Sequence, residues 1–127
     1  MKYLLDANTI IGLVSFPETM QLDRFAACDE DDIVTSSIAF AEVAFGSAMG
    51  QPLDRDELTA FVDEVPILQF DAAAAEAYAS LPFRRGSFDR LIAAHALALG
   101  LVLVTDDPGD FHDVPALAVE NWMLPLP

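Results

Sequence analysis

The sequence predicts an α/β fold in which a mostly parallel sheet is covered by helices, and three observations point there. Short strand-like apolar runs alternate with longer helical ones. The first dozen residues, MKYLLDANTIIG, form an apolar run that stops at Asp6 and resumes after Asn8, as a buried strand does when its carboxyl end feeds a helix. Residues Leu101 to Val104 are continuously apolar, the pattern of a central parallel strand buried on both faces.

The totals set outer limits. A chain of 127 residues, 54% of them hydrophobic, suits a single domain with ample core and no linker. The opening apolar stretch is too short and too soon interrupted for a signal peptide, and no run approaches the roughly 18 to 20 apolar residues of a membrane span. A cytoplasmic protein is therefore expected. Cys28 is the only cysteine, which excludes an intrachain disulfide or a thiol zinc cluster and leaves it the role of a small buried hydrophobe. Against 21 acidic residues stand 6 basic ones, a formal charge of −15. Such a surface repels a phosphate backbone, so a polyanionic substrate requires divalent cations or a local basic patch.

Each element follows from local signals. After the first strand and the helix from Asn8, Pro17 makes a break. A second amphipathic helix spans about Glu18 to Ala27, with Met20, Phe25 and Ala26 as core contacts. The acidic turn Asp29 to Asp32 precedes Ile33, Val34 and Thr35, a β-branched second strand. Ser36 and Ser37 are good N-caps for SIAFAEVAFGSAM, which carries Ile38, Phe40, Val43 and Phe45 almost all round and so belongs inside. Glu42 is the exception in that helix. Its neighbours one turn away are Ile38, Ala39, Phe45 and Gly46, and no Lys or Arg occurs between Arg24 and Arg55. A carboxylate there needs an arginine, a proton or a metal from elsewhere, unless its end of the helix reaches water.

Pro52 to Glu64 reads as a polar-faced helix, with Leu53, Leu58, Phe61 and Val62 inward and its acids solvated. Val65 to Phe70 is a third strand, and Asp71 caps an alanine-rich helix ending near Leu81. Arg84, Arg85 and Arg90 then form the one basic patch, half of all the basic residues. Gly86 permits a turn, Ser87 can cap, and Asp89 falls in the first turn of a helix that Gly100 stops. The helix dipole alone favours an acid at Asp89. His95 lies six residues further, about 240° round at ~100° per residue, so it is a core or surface histidine rather than a partner of Asp89. The strand at Leu101 ends in Thr105, Asp106, Asp107, Pro108, Gly109 and Asp110, a turn rich in acids. Ala118 to Glu120 form an edge strand, Trp122 packs in the tail, and Pro125 to Pro127 trail.

Four segments thus place an acid where it can face one crevice: Asp6, Glu42, Asp89, and Asp106 or Asp107. Each has a local explanation: Asp6 (or Asn8) and Asp89 as residues at helix starts, Asp106 and Asp107 as turn residues, and Glu42 on a helix end that reaches water. Together they form a cluster that mutual repulsion forbids without protons or cations. All are hard oxygen donors, which selects Mg2+ or Mn2+ over zinc. Such ions bridge phosphate oxygens and activate water.

These residues also carry a resemblance. LLDANTII, SSIAFAEVAFG, FDRLIAAHALALG and LVLVTDDPGDF leading to VPALAVENW, in that order and at this length, make the chain similar to PIN-domain ribonucleases of the VapC toxin type. The resemblance covers nearly the whole chain. It implies a compact three-layer α/β/α domain, commonly a homodimer, that cleaves RNA with a divalent metal and is inhibited by a cognate antitoxin. By that likeness Asp6, Glu42 and Asp89 match the three core acids, and Asn8 and Thr105 match polar helpers. Asp107 aligns best with the fourth acid, with Asp106 and Asp110 close enough to compete. Ala39 departs from the hydroxyl residue frequent in relatives. Arg84, Arg85 and Arg90 are candidates for RNA or partner contact. The apolar residues of the two helices before Pro52 and the patch around Phe83 are candidates for a dimer or antitoxin surface, with core packing as their alternative.

Two other functions fit the pattern less well. An aspartyl-phosphate receiver or phosphatase needs a second acid two residues after Asp6 or a lysine in the site, but position 8 is Asn and the only lysine is Lys2. A catalytically inactive PIN-like interaction module has no need of the intact acid set.

Overall fold

The structure is a computed structural model and describes residues 1–16, 20–82 and 86–123. Pro17, Phe83, Arg84, Arg85 and the tail from 124 onward lie outside the described residues, as does the side chain of Met20. Five parallel strands, β1 (Tyr3–Leu5), β2 (Ile33–Ser36), β3 (Ile67–Leu68), β4 (Val102–Val104) and β5 (Val119–Glu120), form one sheet in the order β3-β2-β1-β4-β5. Leu5 is in register with Thr35 on one side and Val104 on the other. Leu4, Leu5 and Leu103 are fully buried, as a sheet covered on both faces requires.

Six helices connect the strands: α1 (Ala7–Ser15), α2 (Met20–Ala26), α3 (Ser37–Ala48), α4 (Arg55–Glu64), α5 (Ala72–Ala79) and α6 (Phe88–Leu99). The chain steps outward from β1 to β2 to β3, then returns past β1 to β4 and β5. With right-handed crossovers, that reversal puts α1 to α4 over one face and α5 and α6 over the other, a three-layer α/β/α sandwich. Ligands of such sheets collect where the order reverses, outside the carboxyl ends of β1 and β4.

Local chemistry fixes the helix ends. Asp54 caps α4 and Glu57 returns the bond, a capping box, so this helix begins at Arg55 and not at Pro52. Asp71 accepts from Ala74 N at 3.0 Å to start α5. Gly100 ends α6 with φ 68°, a left-handed conformation that suits glycine best.

Three further expectations need correction. Helix α3 is not enclosed: only Ala39 and Val43 are buried, whereas Phe45 is 70% exposed, because the sheet and its neighbours take up one stripe of the helix and leave the other uncovered. In α2, Ala26 is exposed, and polar Gln21 is buried instead while Phe25 packs half-buried on the core. Gly12 on α1 makes that possible, since a Cβ there would collide with Gln21 Oε1. The third strand is shorter than Val65 to Phe70, because Phe70 N donates to Ser37 Oγ at the start of α3 rather than to a sheet neighbour. The edge strand is where the sequence puts it, and Trp122 is 1% exposed, edge-on to Tyr3. Cys28 is half-buried against the core, and burial pushes its thiol pKa up.

Candidate active site

Asp6 leaves β1 at the reversal point and is 5% exposed. Its backbone N–H continues the sheet by donating to Val104 O at 3.1 Å. Its Oδ1 accepts from Thr9 N at 2.8 Å, which makes Asp6 the N-cap of α1. Capping and chemistry therefore do not compete, because the two oxygens of a carboxylate offer about four lone-pair sites, more than a cap uses. Burial raises the Asp6 carboxyl above the usual range, and hydrogen bonds from Thr105 and Thr9 pull it part of the way back.

Thr105, 2% exposed after β4, is the hub of this corner. It donates to the Asp6 carboxylate, and its Oγ1 accepts from Asp107 N at 3.1 Å. Thr9 adds a clamp that the sequence reading missed, donating Oγ1 to Val104 O at 3.1 Å and so pinning α1 to β4. Its signal was present in its place three residues after a capping Asp.

A cavity of about 240 Å³ opens here, lined by Asp6, Asn8, Asp89, Thr105, Asp106, Asp107, Asp110 and Phe111. All three acids that compete for the fourth position thus reach its wall. Asp107 and Asp110 interact directly, and Asp107 raises the Asp110 carboxyl. Asp89, in the first turn of α6, is raised first by burial and then by Asp110 and Asp107. Glu42 stands on the flank of the cavity. Burial, then Asp89, then Asp6 raise its carboxyl, and its buried Oε1 has no hydrogen-bond partner among the described residues.

Among the described residues, no three carboxylate, imidazole or thiol groups converge closely enough to enclose an ion unaided. A hard cation does not need that. Magnesium keeps several waters and takes one or two carboxylates plus phosphate oxygens. The oxygen-only donor set, the partnerless Glu42 Oε1 and the mutual raising of neighbouring carboxyls fit such an ion.

The remaining candidates fall elsewhere. Arg90 is 9% exposed, with Nη1 on Asp113 Oδ2 at 3.2 Å and Nη2 donating to Pro82 O at 2.6 Å. Its charge ties Asp113 to the Pro82 carbonyl, so this candidate for RNA or partner contact is buried and paired. Arg84 and Arg85 lie outside the described residues. His95 is a core histidine, 1% exposed.

Comparison with known proteins places these features in a group. The PIN domain profile matches residues 3–117. A relative from Shigella flexneri, named tRNA(fMet)-specific endonuclease VapC, is 30% identical over 131 residues, covering 96% of this chain and 98% of its own. The structure of VapBC2 from Rickettsia felis bound to a promoter DNA fragment superposes with a TM-score of 0.85 at 26% identity, covering 96% of this chain and 99% of that one. DNA-bound VapBC from Salmonella typhimurium gives 0.82 at 27%, covering 96% and 98%.

Proposed function

Because the chain belongs to the PIN-domain family, we propose that it is a metal-dependent endoribonuclease, the toxin of a toxin–antitoxin pair, working at the acidic cavity between β1 and β4. The observation that carries this reading is the set of acids facing one space, with no basic residue among the described lining: Asp6, Asp89, Asp106, Asp107 and Asp110 on the wall and Glu42 on its flank. A phosphodiester cannot enter such a space against like charge unless cations enter with it. Bound Mg2+ or Mn2+ neutralises phosphate oxygens and lowers the pKa of an attacking water.

The protein's own part is to hold and orient. Asp6 is the fixed ligand, immobilised by Thr9 and Thr105. Asp107, with its N–H held by Thr105, is the second, and Asp89 and Glu42 close the other side. Glu42 can hold a proton while the site lacks a cation and would release it to one, since its buried Oε1 has no hydrogen-bond partner among the described residues. Asn8, exposed at the rim, offers its amide to the substrate.

The partners follow from the same reading. A cognate antitoxin binds this chain, and the uncovered stripe of α3, with Phe45 70% and Met49 66% exposed, serves a second copy of it. No described helix is long and apolar enough to cross a membrane. The deciding experiment is incubation of transfer RNA and of unstructured RNA with the purified chain in Mg2+, Mn2+ or chelator. Cleavage confined to the metal lanes supports the reading. Cleavage undiminished in chelator, or none in any lane, sinks it.

A further inference from the structure

Behind the carboxylate pocket lies a second polar cluster that the acids do not touch. His95 on α6 is 1% exposed, yet its ring is fully engaged. Nδ1 lies 2.8 Å from Ser36 Oγ, the Gln69 backbone carbonyl accepts a hydrogen bond from the imidazole, and Phe70 meets the ring edge-on with centroids 5.6 Å apart. Ser36 Oγ already accepts Ile38 N–H at 3.1 Å as the N-cap of α3. With the other ring nitrogen, Nε2, donating to the Gln69 carbonyl, a neutral ring leaves Nδ1 as the acceptor of the Ser36 hydroxyl proton. One unbroken chain of hydrogen bonds joins the end of β3, the middle of α6 and the first turn of α3.

The two helices tied in this way carry opposing acids. Asp89 sits in the first turn of α6, and Glu42 lies in the second turn of α3. Their like charges push the two helix starts apart. Directional hydrogen bonds resist that push.

We infer that His95 is a positioning residue for the carboxylate cluster: by tying the first turn of α3 to α6 through Ser36, it fixes the spacing of Glu42 and Asp89 against their repulsion. The inference rests on the metal-site reading above. Groups that orient the ligands of a metal typically change affinity by about 10–100-fold when removed.

The test is Mn2+ affinity, measured by calorimetry on the full chain, with thermal unfolding run in parallel. His95→Leu keeps bulk and removes the bonds, and binds Mn2+ at least about tenfold more weakly. His95→Asn, which restores a polar group near the place of Nδ1, recovers most of that loss. Ser36→Ala weakens Mn2+ binding as His95→Leu does, whereas Ser37→Ala, which loses only the bond from Phe70 N, does not. This serine pair keeps the test alive should His95→Leu fail to fold. A merely structural role lowers the melting temperature of both serine variants and leaves Mn2+ affinity alone. Wild-type affinity in folded Ser36→Ala overturns the positioning role. If the wild type itself binds no Mn2+, the metal reading fails first and this inference with it.

Discussion

The backbone N–H of Thr9 donates to Asp6 Oδ1 at 2.8 Å, so the carboxylate that starts helix α1 also lines the acidic cavity. Two substitutions separate these duties. Asp6→Asn keeps a capping oxygen and relieves a buried charge, so it folds at least as stably as wild type in the absence of cations. Asp6→Ala loses the cap and is less stable than Asp6→Asn by about 1 kcal/mol. Both lose RNA cleavage by more than about hundredfold, since a ligand contributes more than the groups that orient it. Chemical denaturation and cleavage assays on the pair check this. An active Asp6→Asn returns Asp6 to a capping role alone.

The acids also set a pH dependence. Burial raises the carboxyls of Asp6, Glu42 and Asp89, and acidic neighbours raise Glu42 and Asp89 further. A carboxyl whose pKa is higher folded than unfolded binds its proton more tightly in the folded state. Its stabilising contribution is complete below the unfolded value of about 4 and is lost as pH rises through the folded one. The cation-free melting temperature therefore falls as pH rises from that region toward neutrality. Mn2+ flattens the fall, and Glu42→Gln removes part of it, which distinguishes the cluster from general self-repulsion of a chain with net charge −15. A cation-free melting temperature that climbs across the interval contradicts the assignment.

Arg90 is expected to matter for stability and not for RNA. Removing it leaves Asp113, 19% exposed at its side chain, without this ion pair and frees the Pro82 carbonyl. Arg90→Ala destabilises by about 2–3 kcal/mol, below the full effect of breaking a deeply buried pair because water reaches Asp113. Urea denaturation measures it. A stable Arg90→Ala with lost RNA affinity would restore the phosphate-contact reading.

The uncovered stripe of α3 gives a further outcome. Phe45→Asp places a charge where Phe45 is 70% exposed, so it leaves the fold intact but weakens self-association by at least about tenfold, or about 1.4 kcal/mol. Sedimentation over a concentration series reads the change. An unaltered dimer in Phe45→Asp moves the self-contact away from α3.

Much of this was legible in the sequence because it rests on local signals. The strands at Leu4–Leu5 and Val102–Val104, the caps at Asp71 and Ser87 and the stop at Gly100 are each encoded within a few residues. The acids Asp6, Glu42, Asp89 and the Asp106–Asp110 turn stood out because nothing nearby in sequence neutralises Glu42. What stayed hidden depends on tertiary neighbours. Arg90 looks like surface charge until Asp113, 23 residues away, is brought to it. His95 looks inert until Ser36, 59 residues away, meets its ring. Helix α3 is apolar almost all round apart from Glu42, and sequence cannot distinguish enclosure by its own fold from a face kept for another chain.

The central claim is that Asp6 belongs to a divalent-metal site. Anomalous diffraction from crystals soaked in Mn2+ tests it most directly. The expected result is a peak at about 2.0–2.2 Å from an Asp6 oxygen, with at least one of Glu42, Asp89 or Asp107 oriented toward the same ion directly or through water. A strong peak elsewhere on the chain, with Asp6 untouched and still capping Thr9, contradicts it.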